Sequence, residues 1–140
     1  MNKHTASKEY SSVNAQTGIV DADPHRLIQM LYSGAIEQIA VAKGCMQRND
    51  IAGKGEAISK AIGIINGLAG SVNHDIDSGG LNDRLVSLYE FANRKLTEAN
   101  INNDEQALDD VLPVLKELQA GWNEIRPEVL AQAQNDLTSA

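Results

Sequence analysis

Apolar residues recur along this chain at spacings of three and four, and the pattern divides into four segments separated by short polar breaks. The first opens at Asp23-Pro24, where Asp23 suits a helix N-cap and Pro24 has the fixed φ favoured at the first helical position. Leu27, Leu31, Ala35, Ile39, Ala42 and Met46 then form one stripe, widened by Ile28 and Ile36, which ends near Asn49-Asp50. Gly53 and Gly55 fall in the expected connection. The second segment places Ile58, Ala61, Ile62, Ile65, Leu68, Ala69 and Val72 on one face and stops at the Asn, Asp, Ser and Gly residues of 73–80. The third, from about Leu81 to Asn100, carries Leu81, Leu85, Leu88, Ala92, Leu96 and Ala99 in register. The fourth follows Asn102-Asn103-Asp104 and aligns Leu108, Val111, Leu112, Leu115, Leu118, Trp122 and Ile125. No segment alternates with period two, so no strand is expected.

Four amphipathic helices joined by short turns predict an all-α fold, an antiparallel up-and-down four-helix bundle. We place the bundle at 23–126, an N-terminal arm or cap at 1–22, and a C-terminal tail at 127–140. Tyr10, Val13, Ile19 and Val20 are the only large apolar groups of the arm, which is expected to be mobile, with room for a short extra helix. Two features break helix rules. Pro113 lies inside the fourth segment, where a kink is expected. Gly63, Gly67 and Gly70 share a stripe of the second, which suits tight packing inside the bundle or the approach of a partner helix.

Composition narrows the function classes. The 140 residues are 42% hydrophobic, which excludes wholesale disorder, and only Tyr10, Tyr32, Tyr89, Phe91 and Trp122 are aromatic. The single cysteine, Cys45, can form no internal disulfide and points to a reducing, cytoplasmic compartment. No run approaches the ~18 apolar residues of a membrane span, so membrane insertion is not expected. The net charge of −7 is unevenly placed, because residues 97–140 hold nine acids against only Lys116 and Arg126. Phosphate backbones are held by clustered Lys and Arg, so nucleic acid is not an expected partner. The acidic fourth helix reads as a solvated face or as a docking face for a basic partner.

A search for catalytic chemistry returns nothing. His4, His25 and His74 are widely separated, without the spacings that hold zinc or a di-iron pair in a bundle, so no metal and no cofactor is expected. Cys45 sits beside Met46 on the helix stripe and reads as a structural thiol. Gly79-Gly80 is a turn signal with no phosphate-binding lysine after it. The expected role is therefore binding, not catalysis.

Several stretches in this order and spacing resemble the FliS family, the flagellin-specific secretion chaperones of bacterial flagellar export, over about residues 10–122. They are Tyr10-Ser11-Ser12-Val13, the run from Ala22-Asp23-Pro24-His25 through Leu27-Ile28-Gln29-Met30-Leu31-Tyr32 to Ala35, and Lys60 to Ile65. Leu88-Tyr89-Glu90-Phe91, Arg94 to Asn100, and Val111, Leu115, Leu118 and Trp122 complete the series. The chain departs from the family pattern at Asn2, at Arg84-Leu85 and at Pro113. The resemblance implies a cytosolic helical bundle that binds the disordered C-terminal segment of flagellin in apolar grooves, keeping it from polymerising before export. An export-gate protein or a co-chaperone is a further partner to be expected.

The second and third segments carry more apolar residues than one core stripe needs, including Ala57, Ile64, Val86, Tyr89 and Phe91, and such surplus marks partner surfaces. We expect Ile58, Ile62, Ile65, Leu85, Tyr89 and Leu96 to line the groove, with Tyr10 and Val13 in an arm that covers it. For the aliphatic residues the bundle core is an equally good place; Tyr89 fits a groove because a phenol favours one wet edge. Leu27, Leu31, Ile39, Leu108, Leu115 and Leu118 are assigned to the core. Two rival readings are a helical adaptor of other export components and a histidine phosphotransfer domain using His25 or His74.

Overall fold

The computed structural model of the chain describes residues 23–72 and 79–125. Four helices account for nearly all of them: α1 (Pro24–Gln47), α2 (Ile51–Gly70), α3 (Leu81–Asn102) and α4 (Glu105–Glu124). The expected arm, with Tyr10 and Val13, and the tail lie outside the described residues. Ile28–Arg126 forms one compact unit, and of the other unit only Asp23–Leu27 is described. There the Asp23 Oδ1 accepts a hydrogen bond from the Arg26 amide at 2.8 Å, which makes it the N-cap that the sequence predicts.

Two turns of the same chemistry reverse the chain. Asn49 and Asn103 both take the left-handed conformation, with φ of 59° and 53°. The amides of Asp50 and Asp104 reach back to the carbonyls of Cys45 and Ala99, closing α1 and α3 with the six-residue bond of a Schellman turn. The same two aspartates then open the next helices, Asp50 accepting from the Gly53 amide at 2.9 Å and Asp104 from Gln106 at 3.0 Å. The sequence reading put Gly53 and Gly55 in a connection; both instead belong to α2, because the cap at Asp50 starts that helix two residues before Gly53. At Gly53 the helix has no room for a side chain, since a Cβ would meet the Asp50 carboxylate and come 2.9 Å from the Cys45 Sγ.

Side-chain bonds establish the antiparallel order. Along the α1–α4 seam Gln29 bonds Asn123, Gln119 bonds Ser33, Lys43 bonds Asp109 and Gln47 bonds Glu105, at 2.7–2.8 Å. The same spacings run forward on one helix and backward on the other, as two antiparallel helices in fixed register require. Across α2 and α3, Asn93 donates to Asn66 at 2.8 Å. Ile39, Ala42, Ile58, Ala61, Ile65, Leu68, Ala92, Leu96, Ala99, Leu108, Val111 and Leu115 have no exposed surface and fill the centre. Burying each large aliphatic side chain contributes about 1.5–3 kcal/mol, which dominates the stability of such a bundle. α3 approaches both α2 and α4 closely, as the alanines at 57, 61, 92, 99 and 107 allow. α4 runs through Pro113 without a break, and the proline itself is exposed.

Candidate binding surface

The core claims most of the residues expected to line a groove. Ile58, Ile65 and Leu96 are completely buried and Tyr89 is only 4% exposed, so in this conformation they offer no surface to a guest. A core stripe and a groove stripe carry the same periodic signal, and only packing separates them. The Tyr89 phenol has no wet edge: its oxygen lies 2.6 Å from that of Tyr32, inside the core. Burial pushes both phenols above the usual tyrosine range. Ile62 and Leu85 remain half-buried at the margin of the core. Of the residues assigned to the core, Ile39, Leu108 and Leu115 are fully buried and Leu31 and Leu118 partly so, but Leu27 is 44% exposed.

The surplus apolar surface lies elsewhere. Ile101, 76% exposed, and Ile51, 67% exposed, stand furthest into solvent, near the two Asn-Asp turns. A shallow depression of about 900 Å³ follows the outer face of α3, lined by Phe91 and Ile101 with Glu90, Asn93, Arg94, Lys95, Thr97, Glu98 and Asn102. Helical phase puts this face opposite the buried stripe of Tyr89, Ala92, Leu96 and Ala99. Phe91 and Ile101 are separated by ten residues, about 15 Å along the axis. Ile62 is not among the residues lining the depression; it lies one turn before Asn66 on α2, whose side chain accepts a hydrogen bond from Asn93 in the lining. Leu85 falls on the inner side of α3, away from it. Phe91 was legible as surplus in the sequence; Ile101 was not, because it follows the last stripe residue at the very end of the helix.

The other faces are closed or polar. The α1–α4 seam is bridged by four side-chain hydrogen bonds, and Glu105, Asp109 and Asp110 of α4 are occupied. Asp104 caps the helix, Glu105 takes Gln47, Asp109 pairs with Lys43 at 2.7 Å, and Asp110 lies 3.5 Å from Lys95. The hydrogen bond from Lys43 to Asp109 raises the lysine's pKa. The stripe of Gly63, Gly67 and Gly70 does not pack inside the bundle, since nothing lies within 4 Å of a Cβ placed at any of them. His25 is only 7% exposed, whereas phosphotransfer requires an accessible imidazole; His74 lies outside the described residues. Among the described residues no group of three His, Cys, Asp or Glu is placed to hold a metal ion. Nor is any described helix long and apolar enough to cross a membrane.

Comparison with known proteins bears on what such a bundle is for. The sequence model of the family described as flagellar protein FliS matches residues 6–129. The chain belongs to the FliS family. Its relatives include the flagellar secretion chaperone FliSB of Pseudomonas aeruginosa, 45% identical over 121 residues that cover 86% of this chain and 94% of the relative. The flagellar secretion chaperone FliS of Salmonella typhimurium is 36% identical over 132 residues, 92% of this chain and 97% of its own. A solved structure, a crystal structure of a flagellar chaperone from bacteria, superposes with a TM-score of 0.67 over 84% of this chain and 94% of that one. At 19% identity that likeness establishes the shared bundle fold. As a FliS protein the chain is a flagellar secretion chaperone, a binding role in keeping with an apolar surface left open on a helical bundle.

Proposed function

We propose that this chaperone acts in the bacterial cytosol on flagellin, binding its disordered C-terminal segment on the outer face of α3 and holding it unpolymerised until export. The observation that carries the reading is the apolar surface of that face, where the half-buried Phe91 and Ile101, 76% exposed, bracket the depression. Apolar side chains gathered along one open depression, in contrast to ones scattered singly, mark a surface for a partner. A flagellin terminus that folds into an amphipathic helix on contact would bury them in the helix-in-groove manner. Ordering the guest consumes part of the interaction energy, which keeps release feasible. Export-gate proteins or co-chaperones would then meet the loaded complex on faces the guest leaves free.

Titration with the C-terminal ~40 residues of flagellin from the same cell, followed by calorimetry and circular dichroism, tests the reading. A stoichiometric complex with a gain in helix is expected. Ile101→Asp, at an exposed position, should weaken binding at least about tenfold, while Val41→Asp on α1 leaves it unchanged. Failure of the folded wild-type protein to bind would overturn the flagellin reading. Equal loss in both variants would overturn the placement of the site.

A further inference from the structure

Lys54, on α2, is the only buried lysine among the described residues, and both of its acceptors lie at the end of α3. Its ammonium donates to the Asn100 carbonyl at 3.1 Å and to Asn103 Oδ1 at 3.2 Å. The Asn100 carbonyl is one of the last four of its helix, and the Asn103 and Asp104 amides that could have reached it both turn to Ala99. Between the two acceptors stand Ile101 and Asn102, which line the end of the depression on α3. Ile101 stands in solvent, so packing does little to hold it and its place is set by the backbone that carries it. We propose that Lys54 is a positioning residue of the binding surface: from α2 it fixes the last turn of α3 and so presents Ile101 to the guest before docking. This rests on the flagellin reading and deepens it. A contact held in place beforehand spares the complex the cost of ordering it on binding. Lys54 itself, being buried, offers nothing to the guest.

The full chain is titrated with the same flagellin segment at a temperature where circular dichroism shows each variant folded. Lys54→Met, which keeps the stem and removes the donor, should weaken binding about tenfold and speed amide hydrogen exchange at Ile101 and Asn102. In an Ile101→Ala background the same substitution should cost less than about twofold, because the side chain it places is gone. Asn103→Gly accepts the φ of 53° and leaves the Asn100 bond intact. It should show the same coupling with a smaller loss, and it decides the matter if Lys54→Met does not fold. Equal losses with and without Ile101 would mean that the lysine supports the bundle as a whole. Unchanged affinity in both variants would mean that the last turn keeps its place without it. Either result overturns the positioning role. If Ile101→Asp weakens flagellin binding while Lys54→Met does not, the flagellin reading stands alone. Failure of the wild type to bind overturns both.

Discussion

Tyr32 and Tyr89 meet at 2.6 Å in a core otherwise built from aliphatic side chains, and each is less than 5% exposed. One phenol donates to the other, so removing a single hydroxyl leaves its partner buried without a bond, at a cost of about 1–3 kcal/mol, while removing both is close to neutral. Burial raises both phenol pKa values above the ordinary 10.0. A raised pKa means that their contribution to stability is complete below pH 10 and is lost as the pH climbs above it, because only the unfolded chain releases those protons readily. Urea midpoints measured from pH 8 to 11 should therefore fall less steeply for the Tyr32→Phe/Tyr89→Phe double variant than for the wild type. Lys54 is the other polar anchor. The residue is 5% exposed, and its ammonium donates to the Asn100 carbonyl at 3.1 Å and to Asn103 Oδ1 at 3.2 Å, tying the start of α2 to the end of α3. Such a cation also complements the negative end of α3. Lys54→Met, which keeps the stem but strands both acceptors, should lower the unfolding free energy by about 1–3 kcal/mol in urea titration. Neither anchor was legible in the sequence: Tyr89 finds a partner 57 positions away, and a lysine in a first helical turn reads as solvated until another helix end is packed against it.

At the scale of the element, the caps and breaks were the most legible feature. Asp23 caps α1 as expected, and both Asn-Asp pairs mark turns because asparagine tolerates the left-handed conformation and aspartate caps the helix that follows. The glycines were less so, because a glycine's role depends on what stands opposite it. Gly63 and Gly67 have open space around them, so each carries the conformational cost of glycine with no packing return. Gly63→Ala and Gly67→Ala should each raise stability by about 0.5–1 kcal/mol. Gly53→Ala, despite the same gain in propensity, should lower it, since the new methyl group collides with Asp50 and Cys45. Thermal melts of the three variants check the opposite signs.

Across the whole molecule, polar bridges to α1 and α3 show what three of the acids of α4 do. Glu105, Asp109 and Asp110 hold side chains of α1 and α3, so they fasten helices together and do not form a free acidic docking face. Exposed pairs of this kind contribute roughly 0–1 kcal/mol each, so cohesion comes from the shared core and unfolding should be a single cooperative event. Trp122, packed against that core from α4, gives a local reporter. Urea transitions followed by its fluorescence and by far-UV circular dichroism should coincide, whereas an earlier fluorescence transition would mean that α4 melts by itself. The sequence by itself determined four helices, their turns, their antiparallel order and the family, because periodicity, capping and short connections act within a few residues of one another. Which apolar residues are core and which surface was decided only by tertiary structure. Ile58 and Leu96 disappear inside while Ile101 stands out, since burial depends on the phase at which each helix meets its neighbours, and local sequence leaves that phase open.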